Sequence, residues 1–147
     1  MKKFKFRFET ILDLRTKELE KAETKVAAAQ MQVIKATQDL ANFQSEQQQY
    51  RSSLEQVLSS GAIDIIQITN FQNYIKHLDN KIHKQRQTIS NLQAQLEKVR
   101  QEMLIVRQKK MMLDKLKEKD LKEYLRELEY QDMKTLDEIA TNRFKNT

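Results

Sequence analysis

The sequence predicts an all-α chain: two long helices folded into an antiparallel coiled-coil hairpin, the second helix the longer. Three observations predict it. The 147 residues include one glycine and no proline, which leaves turn chemistry for very few corners. Apolar residues recur at alternating spacings of four and three for most of the chain, the pattern of a left-handed coiled coil. One stretch, "SSGAIDIIQITN" at residues 59–70, interrupts that pattern, and it holds the glycine. A chain with 33% charged and 39% hydrophobic residues also suits disorder, but the net charge is only +6 and the apolar period is regular, which favours helices.

The first helix is expected over about residues 8–58. Its seam runs through Leu12, Arg15, Leu19, Ala22, Val26, Ala29, Val33, Ala36, Leu40, Phe43, Gln47, Tyr50, Leu54 and Val57. The corner is expected over about 59–64. Gly61 suits a left-handed residue just past a helix end, and Asp64 with Gln67 three residues on forms a candidate capping box. Thr69 followed by Gln72 is a second possible start. The second helix is expected over about 64–145, with Ile68, Phe71, Ile75, Leu78, Ile82, Gln85, Ile89, Leu92, Leu96, Val99, Met103 and Val106 on its seam. At Lys110 the strict repeat ends. Leu113, Leu116, Leu121, Leu125, Leu128 and Leu136 then mark a stripe of drifting spacing. The whole chain, 1–147, reads as a single hairpin domain. At 1.5 Å per residue the arms are about 75 Å and 120 Å long, so the second overhangs the first unless the amino-terminal residues run up beside it. Alanines at 22, 29 and 36 bury little, so the open end should be weaker than the Ile/Leu-rich part.

Several chemistries find no residues to carry them. There is no cysteine, hence no disulfide, thiolate metal site or catalytic thiol, which fits a reducing compartment. The opening "MKKFKFRFETILDLR" returns to charge before any signal-length apolar run develops. No stretch approaches the roughly 20 apolar residues that span a bilayer. His77 and His83 lie about 240° apart around a helix and cannot share a metal on one face. There is no glycine-rich phosphate loop. No enzyme activity and no cofactor are expected.

Between residues 71 and 110 nine Lys or Arg stand against three acids, an excess equal to the net charge of +6. Such a stripe can track phosphates, steer an acidic protein or keep the chain in solution; no aromatic residues interleave it for base stacking, so nucleic acid is not the expected partner. Gln47 and Gln85 on the seams are either tolerated polar residues or register markers. They face each other if the second helix starts near Thr69, and do not if Asp64 caps it, the start favoured here. Ile63, Ile65, Ile66 and Ile68 crowd the corner, as a self-packed loop or a docking knob.

Five segments carry a resemblance. "FKFRFETILDLRTKELEKAE", "QQQYRSSL", "ITNFQNYIKHLDNKI", "RQKKMMLDKLKE" and "LDEIATNRF" resemble, in the same order around a single glycine, segments of the flagellar type III export protein FliJ family. The resemblance implies a non-enzymatic coiled-coil stalk, a monomer by itself. It implies binding to the hexameric export ATPase, whose assembly and activity it promotes, to the cytoplasmic domain of the membrane export-gate protein, and to export chaperones. Its implied location is cytoplasmic, peripheral to the inner membrane at the flagellar base. For the gate contact it points to Phe43, Tyr50, Tyr74 and Leu78, while Glu46, Lys81 and Gln85 depart from the family pattern. For the ATPase ring, Phe4, Phe6, Arg7 and Phe8 with Asp137, Glu138 and Arg143 are the candidates. The Phe-x-Phe-x-Phe alternation can equally cap the hairpin's open end. A parallel homodimeric spacer, with Gly61 a mere kink, and a basic nucleic-acid-binding coil are the alternatives.

Overall fold

The computed structural model describes residues 2–62 and 64–146. Two helices account for nearly all of it: α1, Glu9–Ser59, with 51 residues, and α2, Ile65–Lys145, with 81. They pack against each other and the second is the longer, as the heptad pattern predicts.

The corner follows from its residues. The last turn of α1 closes with the Ser60 amide donating to the Gln56 carbonyl at 3.1 Å and the Ser60 hydroxyl donating to Val57 O at 2.8 Å. Gly61 then takes φ of 77°, the left-handed conformation that stops a helix and that a side chain disfavours. Asp64 starts α2: its Oδ1 accepts from the amides of Ile66 at 3.0 Å and Gln67 at 3.4 Å, satisfying donors that have no partner within the helix. Thr69, the other candidate start, lies inside α2 and donates its hydroxyl to the Ile65 carbonyl. Because the helix stops at Ser59 and restarts at Ile65, Gly61 is a true turn and not a kink in a continuous helix.

Contacts divide the chain into two compact units, Glu23–Glu102 and Met1–Ala22 with Met103–Thr147. In the first, Val26, Ala29 and Ala36 of α1 and Leu78, Ile82, Leu96 and Val99 of α2 are buried. These are seam positions, and the other seam residues there are buried or half-buried. The helices run antiparallel, since Gln47 reaches Ile75 while the earlier Ala36 meets the later Gln85. Gln47 and Gln85 do not face each other. Each donates its amide across to a main-chain carbonyl, Gln47 to Ile75 at 3.3 Å and Gln85 to Ala36 at 2.9 Å. Gln47 also donates to Asp79, whose carboxylate lies 3.9 Å from Arg51. At the corner Ile65 and Ile66 are each 74% exposed and Ile68 is half-buried, so the isoleucines do not form a self-packed loop; Ile63 falls outside the described residues.

In the second unit the amino-terminal segment does not continue α1. Residues 2–6 are non-helical, with a turn at 7–8 before Glu9, and they lie against α2. Phe6 and Leu12 are buried. Along this part of α2 the half-buried positions include 103, 106, 110, 113, 117, 120 and 124, with 116 and 128 besides, so the spacing of four and three persists past Lys110, where the apolar pattern fades. Lys110, Lys117, Asp120 and Tyr124 occupy it in place of aliphatic residues. The drifting stripe read from the leucines is corrected accordingly: Leu113, Leu116 and Leu128 are half-buried, but Leu121, Leu125 and Leu136 are exposed. From residue 129 to 146 every position is exposed.

Candidate functional site

Among the described residues two surfaces stand out. The first lies in the Glu23–Glu102 unit. Tyr50 on α1 faces Phe71 and Tyr74 on α2; Tyr50 and Phe71 hold seam positions that elsewhere carry aliphatic residues, and Tyr74 precedes the seam residue Ile75. The Tyr50 and Tyr74 rings are 4.4 Å apart between centroids, and Phe71 meets Tyr50 edge-on at 6.0 Å. His77, one turn on, lies 6.0 Å from Tyr74. Such offset and edge-on rings are the preferred aromatic geometries. The Tyr74 hydroxyl donates to Glu46 Oε1 at 2.5 Å. That bond to a carboxylate raises the phenol above its ordinary 10.0, with burial and the negative charge of Glu46 acting in the same direction. Lys81 sits 5.1 Å from the centroid of Phe43, close enough for a cation–π contact.

Tyr50, Gln67, Asn70, Phe71 and Tyr74 line an open hollow here. Its chemistry is that of a protein-contact ledge, with aromatic faces, two amides and a phenol held by a carboxylate. Three of the four residues implied for gate contact, Phe43, Tyr50 and Tyr74, are half-buried along one side of the seam. Leu78 is different: it has no exposed surface at all. It can support the ledge from beneath but cannot touch a partner in this conformation.

The second surface lies in the other unit. Phe4 meets Tyr124 in a tilted ring contact with centroids 5.6 Å apart, and the Tyr124 hydroxyl donates to the Lys2 carbonyl at 2.7 Å. Phe8 meets the buried Phe6 edge-on at 5.8 Å, and the Arg7 guanidinium lies 4.8 Å from the Phe8 centroid. Glu9 receives Lys117 on both carboxylate oxygens, at 3.0 and 3.1 Å. Phe4, Phe6, Arg7 and Phe8 are thus brought together. Asp137, Glu138 and Arg143 lie farther along α2, in the stretch where all positions are exposed, with Leu136, Ile139 and Phe144 around them. Tyr124, which anchors the amino-terminal segment, was not among the residues singled out from sequence. Its heptad position was the available signal, hidden because Lys117 and Asp120 before it are polar.

Among the described residues no group of His, Asp and Glu could hold a metal ion. Within the same residues no helix is long and apolar enough to cross a membrane. The family model "Flagellar FliJ protein" matches residues 4–147, nearly the whole chain. The chain belongs to the FliJ family. Searches of curated proteins and of solved structures returned no match. As a FliJ-family protein it is a component of flagellar type III protein export, and a non-enzymatic one.

Proposed function

We propose that this FliJ-family chain is a stalk that engages the hexameric export ATPase through its open end, promotes ring assembly and turnover, and meets the export gate and export chaperones along its sides. One observation supports this reading above the others. Residues 129–146 stay helical while every position is exposed, including Met133, Leu136, Ile139 and Phe144. An amphipathic helix buries its apolar residues when it can, and most helical stability comes from that burial. A long stretch that leaves them in water is suited to a surface supplied by another protein.

In this reading Asp137, Glu138 and Arg143, with Phe4, Arg7 and Phe8, form the ATPase-facing surface, and Phe6 holds the amino-terminal segment in place. Work is transmitted by contact alone: the chain favours the assembled, active arrangement of the ATPase by binding it more tightly. The ledge of Phe43, Tyr50 and Tyr74, underpinned by Leu78, is the gate-facing surface. Both surfaces would act at the flagellar base, on the cytoplasmic side of the inner membrane.

The test mixes the purified chain with the export ATPase and follows turnover and oligomer size. Turnover and hexamer content should rise with added chain, and a chain ending at Leu128 should lose the effect while its Glu23–Glu102 unit stays folded. Unchanged turnover and size at saturating chain would remove the ATPase role. A pull-down with the cytoplasmic domain of the gate protein tests the ledge separately: Tyr50→Ala and Tyr74→Ala should weaken capture, and full capture by both variants would reject it.

A further inference from the structure

The amino-terminal segment sorts its side chains by chemistry. In "KKFKFRF", residues 2–8, Phe4, Phe6 and Phe8 are buried or half-buried, while Lys2, Lys3, Lys5 and Arg7 are all exposed. The sorting is held in place by the Phe4–Tyr124 ring contact, the Tyr124 hydroxyl on Lys2 O and the burial of Phe6. Glu9, the carboxylate nearest in sequence, is occupied by Lys117 on both oxygens. Among the described residues neither Lys3 nor Lys5 forms an ion pair, so their charge is left for something outside the chain. Lys2, Lys3 and Lys5 border an open hollow floored by Phe4 and Tyr124.

We propose that this face is a docking surface for an anionic phospholipid membrane, with Lys2, Lys3 and Lys5 set on lipid phosphates. It goes beyond the ATPase reading and does not rest on it. Three features select a lipid surface. Exposed Lys2, Lys3 and Lys5 line one open hollow with the half-buried rings of Phe4 and Tyr124, a mixture of cations and aromatics found where proteins sit at a membrane interface. Leu121 and Leu128 share the Tyr124 face of α2, three residues before and four after it, and Leu121 is 38% exposed, which adds apolar surface at the same level. A single-stranded nucleic acid would need free rings to stack its bases, and here the rings are already engaged with Tyr124 and with each other.

The experiment is flotation of the full chain with vesicles. One set holds equal parts phosphatidylglycerol and phosphatidylcholine, the other phosphatidylcholine alone. The chain should rise with the anionic vesicles at physiological salt, dissociate as salt is raised, and ignore the neutral ones. The Lys2→Gln, Lys3→Gln, Lys5→Gln triple variant should bind on the order of a hundredfold more weakly, since each lysine near an anionic surface contributes about fivefold. Its circular dichroism and melting should match the parent, because the side chains changed are exposed. Equal partition onto both vesicle types, no partition onto the anionic set, or parental binding by the triple variant would each overturn the proposal. Tighter retention of single-stranded DNA than of anionic vesicles at the same salt would overturn it too, and would assign the cations to nucleic acid.

Discussion

Helix α2 lives in two environments, and the contrast separates what this molecule does for itself from what it leaves for others. Within Glu23–Glu102 its seam is aliphatic, with Leu78, Ile82, Leu96 and Val99 buried against α1. Within the other unit the same spacing continues, but Lys110, Lys117, Asp120 and Tyr124 fill it, and past Leu128 nothing is buried. Both stretches are helical, so helical propensity is not what differs. The difference is in partners. The first stretch has one inside the chain along its length, while the second has the start of α1 and a short aromatic segment at residues 2–8, and then exposed surface. The heptad sets where a helix can be gripped, and the residue types decide whether its own chain does the gripping.

The largest effect is expected where the aliphatic seam is tightest. Leu78→Ala removes the one large side chain that is fully buried among the described residues and should cost about 2–5 kcal/mol, read as a lower midpoint in urea. A loss well under 1 kcal/mol would mean the Glu23–Glu102 unit is not the stable part. Next comes Phe6→Ala, which should release the amino-terminal segment at a cost of about 1.5–3 kcal/mol. Amide exchange should then speed up in residues 2–12 and near Tyr124, with residues 23–102 unchanged; exchange that quickens equally throughout would erase the contrast between the units. Smaller again is Gly61→Ala. No atom lies within 4 Å of the added carbon, so only the positive φ is strained, at about 1–2 kcal/mol. Gly61→Asn, which tolerates that conformation better, should cost less, and equal losses would point away from backbone strain.

The smallest effect is a pH dependence confined to the ledge. Tyr74 is held protonated by its bond to Glu46, so its folded-state value lies above the unfolded 10.0. The folded chain therefore keeps a proton that the unfolded chain loses. The stabilisation is whole below pH 10 and declines as pH rises through the raised value. Tyr74→Phe should flatten this alkaline decline in melting temperature. An identical decline in the variant would show that other groups cause it.

Much of this was legible in the sequence, for a physical reason. With one glycine, no proline and an alternation of spacings interrupted only around Gly61 before it fades at Lys110, the chain had few ways to fold other than as a helical hairpin turning at Gly61. The Asp64 cap and the burial of seam residues from Leu12 to Val57 follow from local rules alone. The expectation of a weaker open end also had a local cause, the thin alanine seam: Ala29 and Ala36 are buried, but each covers little apolar area, and the stretch beyond Leu128 is exposed. What was hidden depended on pairing across the chain. Hydrophobicity stops marking the seam at Lys110, so Tyr124 could not be linked to Lys2 and Phe4 by periodicity. Gln47 and Gln85 looked like possible mates, but each bonds to a carbonyl of the opposite helix, a contact that no side-chain pattern records. Leu78 carried two readings, a seam position by its heptad spacing and a contact residue by the resemblance, and its burial agrees with the seam. The Phe-x-Phe-x-Phe alternation predicted two uses, and the packing supplies the capping one while leaving the cations outward.

The most direct test is residue-resolved hydrogen exchange on the chain alone and then with saturating export ATPase. Alone, amides of residues 129–146 should exchange fast and those of the Glu23–Glu102 unit slowly; with the ATPase, protection should appear in 129–146 and around residues 4–8. Protection of 129–146 in the isolated chain, or an ATPase complex that leaves that stretch as fast as before, would contradict the account.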